Sequence, residues 1–246
     1  MTIVKKALIV GGILVAGLLL IAGYFIFTFK SETNKMTPVE TGNIVENIYA
    51  IKDGFANMFL IQDGDQYLAI DAGMDKKVIS AELKKLNIDP ANVVAVLLTH
   101  TDMDHVGGLP LFKNAKVYLA REEVKMLNGE AQKIPGVNNK ISREDYVLLD
   151  DKQTFSIGKE EAFAILTAGH TTGSICFQIN GKYLFTGDIL SLHVGKIGKS
   201  VKFFDLNHDM TTKSISRIVN LPNVEYIFTS HWGITADYKN AVKDWK

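Results

Sequence analysis

The chain has 246 residues, room for one large domain or two small ones, and its 47% hydrophobic and 22% charged content excludes bulk disorder. Lysine plus arginine and aspartate plus glutamate both total 27, so the formal net charge is zero, without the basic excess usual in nucleic-acid binders. The single cysteine, Cys176 in the run SICFQI, excludes an intramolecular disulfide and reads as a small buried hydrophobe.

The stretch from Ala7 to Phe29, ALIVGGILVAGLLLIAGYFIFTF, carries no charge. A membrane helix needs about 20 such residues. Lys5 and Lys6 precede it, and the positive-inside bias then predicts a short cytoplasmic N-terminus over 1–6, one transmembrane anchor over 7–29, and the remainder outside the cytoplasm. A signal-peptide core runs about 7–15 residues and ends in small residues. This run is longer and ends in Tyr24-Phe25-Ile26-Phe27, which favours an uncleaved, single-pass anchor at the cell membrane. Residues 30–42 read as a polar tether.

From Asn43 onward the pattern changes to short apolar runs. NIVENIYAIK, NMFLIQ and QYLAIDAG read as strands, with Asp63-Gly64-Asp65 as a turn. DKKVISAELKKLNI places Val78, Ile79, Leu83 and Leu86 at helical spacing. VVAVLLTH is a continuous apolar run, as expected of a strand covered on both faces. A helix near 108–112, the strand KVYLA and a short helix REEVKMLN stopped by Gly129 follow, and then a polar loop over 130–145, a candidate cover for a cleft. YVLLD, TFSIG, EAFAILTAG, SICFQING and KYLFTGD are strand-like. MTTKSISRIVNL reads as a helix with Asp209 or a threonine as its cap, VEYIFTSH as a strand and DYKNAVKDW as a closing helix. Asn57 reads as structural. Mixed groups of strands and helices predict an α+β fold of two sheets with helices outside, occupying 43–246.

Three predicted strands end on a histidine: AVLLTH at His100, AILTAGH at His170 and YIFTSH at His231; KYLFTGD ends on Asp188. Turns at strand ends let a rigid sheet aim side chains into one cleft. Imidazole and carboxylate together suit a first-row divalent metal ion. The first of these ends also opens the packed set THTDMDHVGG, with Asp102, Asp104 and His105 close behind His100.

These motifs resemble the metallo-β-lactamase superfamily, whose signature is H-x-H-x-D-H followed later by His, Asp and His. LAIDAG, THTDMDHVGG, TAGHTTGS, LFTGD and SHWG occur in the family's order across the chain from 43 onward. The resemblance implies an αββα sandwich of two mixed sheets with the site at one edge. It implies two divalent metals, one held by His100, Asp102 and His170 and the other by Asp104, His105 and His231, with Asp188 bridging. A water or hydroxide between the ions would be the nucleophile, Asp104 would orient it and take its proton, and Gly107-Gly108 would let the backbone approach beneath the site. The family usually has histidine where this chain has Asp102. Zinc follows from family usage, whereas the third carboxylate shifts preference toward manganese or iron.

The resemblance therefore implies a membrane-anchored hydrolase that uses a metal-bound hydroxide on a small-molecule ester, thioester, lactone or phosphodiester. A non-hydrolytic di-iron redox protein and a catalytically silent binding protein on the same fold are the alternatives. In the segment ILSLHVGKIGKSVKFFDLNHD, His193, Lys196 and Lys199 are candidates to meet an anionic substrate, on a stretch that otherwise reads as a solvated loop.

Overall fold

A long N-terminal helix and a separate body made of strands and short helices are the two units of the computed structural model, which describes residues 2–245. The first unit ends at Met36. Its helix α1 spans Ile3–Thr33. The part from Gly11 to Thr33 is long and apolar enough to cross a membrane, and none of it is buried within the protein. A signal sequence would meet the same two criteria.

The second unit begins at Thr37. Its strands form two main sheets. The first runs in the order β1 (Gly42–Val45), β2 (Ile48–Asp53), β3 (Ala56–Asp63), β4 (Gln66–Ile70), β5 (Val93–Leu97), β6 (Lys116–Ala120) and β7 (Tyr146–Leu149). Strands β1 to β4 are antiparallel, and β4 to β7 are parallel. The second sheet has the order β15 (Ile234–Thr235), β14 (Tyr226–Phe228), β11 (Tyr183–Phe185), β10 (Ile175–Ile179), β9 (Glu160–Leu166) and β8 (Thr154–Ile157). Strands β12 (Leu190–His193) and β13 (Lys196–Lys199) make a separate hairpin. The helices are α2 (Lys76–Lys85), α3 (Met103–Val106), α4 (Val124–Asn128), α5 (His208–Ile215) and α6 (Tyr238–Val242).

Three buried clusters define the four layers. Between the sheets, Ile48, Phe59, Ile61 and Ile70 meet Ala164, Phe177, Phe185 and Phe228. On the outer face of the first sheet, Ile51, Met58, Leu60 and Val96 pack with Ile79 and Leu83 of α2 and with Phe112. On the outer face of the second, Cys176, Leu184 and Ile227 pack with Ile215 and with Tyr238 and Ala241 of α6. The period-2 alternation of strands produces this sorting. Phe59 and Ile61 face inward while Met58 and Leu60 face the helices, so β3 is covered on both sides. Full burial of a side chain such as Phe177 contributes about 1.5–3 kcal/mol. Cys176 sits under the helix layer, where burial pushes its thiol up to about 12. The αββα sandwich is as expected.

Four local expectations are corrected. NIVENIYAIK is two strands, because Glu46 turns the chain at φ 49° between β1 and β2. The segment after Asp188 is not a loop: β12 and β13 pair through a turn at Val194 and Gly195, both with positive φ (49° and 72°). Helix α5 is capped by Asn207, whose side chain accepts from the Met210 N–H, rather than by Asp209 or a threonine. Residues 37–42 are not a free tether. Thr37 N–H donates to the His231 carbonyl at 2.8 Å, and Asn57 clamps Val39 through both its N–H and its C=O. Asn57 is structural, as read from the sequence.

Candidate metal centre

The connectivity gathers the functional residues at one edge. Strand β9 is antiparallel to β10, and β10 to β11, so β9, β11 and the parallel β14 all run the same way. Their C-terminal ends lead into His170, Asp188 and His231 respectively. Strand β5, with β4 alongside, brings His100 and Asp71 to the same place: Ile175 N–H donates to the Thr99 carbonyl at 2.9 Å and stitches the two sheets together there.

The segment after His100 forms α3, with Asp102 just before it and Asp104 and His105 inside it. This turn lies against the backbone after β4: Ala72 N–H donates to the His105 carbonyl (2.7 Å) and Gly108 N–H to the Ala72 carbonyl (3.0 Å). A Cβ at Gly107 would stand 1.8 Å from the Met74 carbonyl oxygen, and one at Gly108 2.1 Å from that of Ala72. The two glycines permit the close approach anticipated from the sequence.

Seven side chains form two adjoining groups, each with its donor atoms within 4.8 Å of one another. The first is His100, Asp102 and His170; the second is Asp104, His105, Asp188 and His231. In the first, Asp102 Oδ2 is 3.4 Å from His100 Nε2 and 3.1 Å from His170 Nε2. In the second, Asp188 Oδ1 is 3.3 Å from His105 Nε2, and Asp104 Oδ2 lies 3.6 and 3.5 Å from the Nε2 atoms of His105 and His231. Asp188 touches both groups, since its Oδ2 is 3.0 Å from His231 Nε2, 3.5 Å from His170 Nε2 and 3.9 Å from His100 Nε2.

The imidazoles are held in one posture. Each Nδ1 faces away from the cluster and has a partner: Thr99 Oγ1 for His100 (3.0 Å), Asp71 for His105 (2.9 Å), Asp205 for His170 (2.9 Å) and the Phe55 carbonyl for His231 (2.9 Å). A carbonyl can only accept, so His231 donates from Nδ1 and leaves Nε2 facing inward, 3.0 Å from Asp188 Oδ2. Outer partners of this kind fix the tautomer of metal-binding histidines. His100 Nε2, His105 Nε2 and Asp188 Oδ1 are buried without a hydrogen-bond partner. Unpartnered buried polar atoms are costly, and this convergent nitrogen and carboxylate set fits divalent metal ions.

The electrostatics agree. Burial opposes ionisation of Asp188, yet His231 and His105 hold its carboxyl well below the usual range. Burial likewise opposes ionisation of Asp102, and Lys133 with His100 and His170 overrides it in the same direction. Burial disfavours a charged His105, but Asp188, Asp71 and Asp104 push it well above its ordinary value. At His100 burial and the neighbouring His105 prevail and lower it. Three carboxylates thus converge on four inward-facing imidazoles, a donor set that a cation satisfies.

All seven residues read from the sequence as ligands come together. The three substrate candidates do not join them. His193 is exposed and stands 5.0 Å from the Trp232 ring, Lys199 is exposed, and Lys196 Nζ bonds Asn240 and pairs with Asp244 near the C-terminus. Several supporting residues were not singled out in the sequence. Lys133 pairs with Asp102, Asn139 bonds Asp102 Oδ1 (2.9 Å), and Asp205 joins His170 to His208. Buried Glu123 accepts from Thr101, Thr171 and Gly173. Lys133 and Asn139 lie on the 130–145 loop, and its placement as a cover was the one sequence signal toward them.

Residues 51–231 match the metallo-beta-lactamase superfamily. A hydroxyacylglutathione hydrolase of Buchnera aphidicola subsp. Schizaphis graminum is 30% identical over 189 residues, covering 76% of this chain and 66% of that one. A probable polyketide biosynthesis zinc-dependent hydrolase, PksB of Bacillus subtilis, is 31% identical over 155 residues, covering 59% of this chain and 62% of that one. This chain thus spans slightly less than two thirds of the length of these relatives. Among solved structures, a B3 metallo-beta-lactamase described as having an active-site glutamic acid aligns with a TM-score of 0.65 at 18% identity, over 85% of this chain and 87% of that one. At that identity the likeness is one of fold.

Proposed function

Because this chain belongs to the metallo-beta-lactamase superfamily, we propose that it is a membrane-anchored, dinuclear-metal-dependent hydrolase of a small-molecule ester, thioester, lactone or phosphodiester. The observation that carries the reading is the posture of the four histidines, with every Nδ1 held from outside and every Nε2 turned toward three carboxylates.

His100, Asp102 and His170 would hold one ion, and Asp104, His105 and His231 the other, with Asp188 between them. When bound, the ions would supply Lewis acidity and a water acidic enough to attack at neutral pH. The chain's own part is positioning and proton handling. Asp104, whose side chain is 19% exposed, lies where the second group opens to solvent. It would orient the attacking water and accept its proton. The relatives named as hydrolases, one of them zinc-dependent, support metal-dependent hydrolysis. Zinc follows the one relative described as zinc-dependent, and Asp102 makes manganese or iron a fitting occupant of the first group. Helix α1 would be the anchor through its apolar part from Gly11 to Thr33, with Lys5 and Lys6 ahead of that part favouring an extracytoplasmic body.

The test is metal analysis of the full chain in detergent, joined to a panel of ester, thioester, lactone and phosphodiester substrates. The expected result is up to two bound metals and turnover that chelation abolishes and metal restores. A chain that binds no metal after purification with metal present would overturn the reading. Bound iron with a redox-active visible band and no turnover would replace it with the di-iron alternative.

A further inference from the structure

We propose that Lys133 is a built-in cation that competes with a metal ion for the first group, so that the chain loads the second group first. The inference rests on the metal-binding reading above. The ammonium of Lys133 pairs with Asp102 Oδ2 and lies 2.9 Å from His170 Nε2. Those two side chains belong to the three that define the first group. The ammonium therefore stands against the same His170 nitrogen and the same Asp102 oxygen that a metal would also need. A divalent ion bound to the same nitrogen and oxygen at about 2.0–2.2 Å would occupy the same space and carry the same sign of charge. The two cations exclude one another.

The lysine is seated by its surroundings. Asp102 is gripped at both oxygens by the 130–145 loop, with Lys133 on Oδ2 and Asn139 on Oδ1, and Asn139 also donates to Thr101 Oγ1 at 3.1 Å. The turn carrying Lys133 braces itself: Gln132 accepts from Gly136 N–H at 2.7 Å and donates to Asn138 Oδ1 at 2.6 Å, around a bridge between Ile134 and Val137. The second group differs. Among the described residues no lysine or arginine pairs with Asp104, His105, Asp188 or His231; their ionic partners are one another, Asp71 and the histidines of the first group.

Lys133 also accounts for Asp102. A histidine at 102, as the family resemblance leads one to expect, would offer the ammonium no anionic partner. A carboxylate paired with an ammonium has the net charge of a neutral imidazole. With Lys133 seated, the first group thus keeps the formal charge of an all-histidine set. With Lys133 displaced, the entering metal meets one extra negative charge. Loading the first group must therefore move the Lys133 side chain off Asp102 and His170, which removes one of the ties between the 130–145 loop and the site.

The test is titration of the metal-stripped full chain in detergent with zinc(II), read by competition with a chromophoric chelator. Hydrogen exchange over 130–145 is followed in parallel. In the wild type we expect two equivalents, the second bound at least about 100-fold more weakly than the first, with exchange over 130–145 rising only as the second enters. In K133Q the second equivalent should tighten by about tenfold or more, the scale on which groups around a metal site act, and the first should change less than about twofold. K133M should repeat K133Q, which covers a folding failure of either variant, and K133R should stay near the wild type because it keeps the charge. Two equivalents of equal affinity in the wild type, or a second equivalent no tighter in K133Q and K133M, would overturn the inference while leaving the metal-binding reading intact. A wild type that takes up no metal overturns both.

Discussion

The Nδ1 atom of His105 lies 2.9 Å from Asp71 Oδ2, and both side chains are buried. Asp71 is itself fixed. Its Oδ1 accepts the Thr99 N–H at 2.7 Å, and its Oδ2 also accepts from the Thr99 hydroxyl at 2.9 Å. The carboxylate thus ties the end of β5 to the imidazole and turns Nε2 toward the second group. Asp71→Asn suits the backbone, since asparagine tolerates the φ of 61° at this position. Its amide, however, sets an NH₂ against either the Thr99 N–H or His105. We predict that metal affinity at the second group falls by about tenfold, with fold and melting behaviour retained. Chelator competition on the first equivalent checks this; an affinity within twofold of the wild type would contradict it.

Glu123 does comparable work without touching the ligands. Its Oε1 accepts from the Thr101 N–H (2.7 Å) and hydroxyl (2.6 Å), and its Oε2 from the Thr171 hydroxyl (2.6 Å) and the Gly173 N–H (2.9 Å). The loops that carry Asp102 and His170 therefore meet on one fully buried carboxylate. Glu123→Gln would point an NH₂ at two donors wherever the amide settles, stranding one backbone N–H. The predicted cost is about 1–3 kcal/mol, read as a lower urea midpoint at an unchanged slope. An unchanged midpoint would mean that water or a local shift satisfies the stranded donors.

The parts of the site legible in the sequence and those that were not differ by range. His100, His170, Asp188 and His231 each follow an apolar run directly, so local pattern alone places them at strand ends. Asp102, Asp104 and His105 ride on the same short segment. Their partners come from afar. Lys133 is 31 residues from Asp102, Asp205 is 35 from His170, and Phe55, whose carbonyl orients His231, is 176 away. Only the packing of two sheets and a covering loop brings these together, and no periodicity records it. The hairpin after Asp188 escaped for a local reason. Its turn is Val194-Gly195, and a β-branched residue at positive φ is a poor turn signal.

The glycine pair beneath the site yields a steric prediction. A methyl group at Gly107 would fall 1.8 Å from the Met74 carbonyl oxygen, a backbone atom held by the turn after β4. Gly107→Ala should therefore push α3 away from that turn and carry Asp104 and His105 with it. We expect a stability loss of about 3 kcal/mol, the upper range for inserting bulk into a packed region, together with weaker metal uptake. Gly42→Ala is the control, because a Cβ there has no atom within 4 Å. Thermal melts of the two variants side by side test this; equal melting temperatures would show that the turn after β4 yields at little cost.

Asp102 is the residue through which metal identity can be moved. Set against two divalent ions, Asp102, Asp104 and Asp188 leave one formal positive charge, whereas histidine at 102 would leave two. The carboxylate also replaces a borderline nitrogen donor with a hard oxygen, which shifts preference away from zinc. In the structure this carboxylate is the anchor of Lys133 and accepts from Asn139. Asp102→His removes the hard donor and unseats the lysine in one change. We predict that the zinc fraction rises relative to manganese and iron when wild type and variant are loaded from equal mixtures of the three metals. Elemental analysis of the full chain after removal of loosely bound ions measures it. The same variant should load its second equivalent more tightly than the wild type, by about tenfold or more, since an entering ion no longer competes with an ammonium. A metal ratio and a second-step affinity both unchanged by the substitution would mean that Asp102 neither selects the metal nor holds the competing cation.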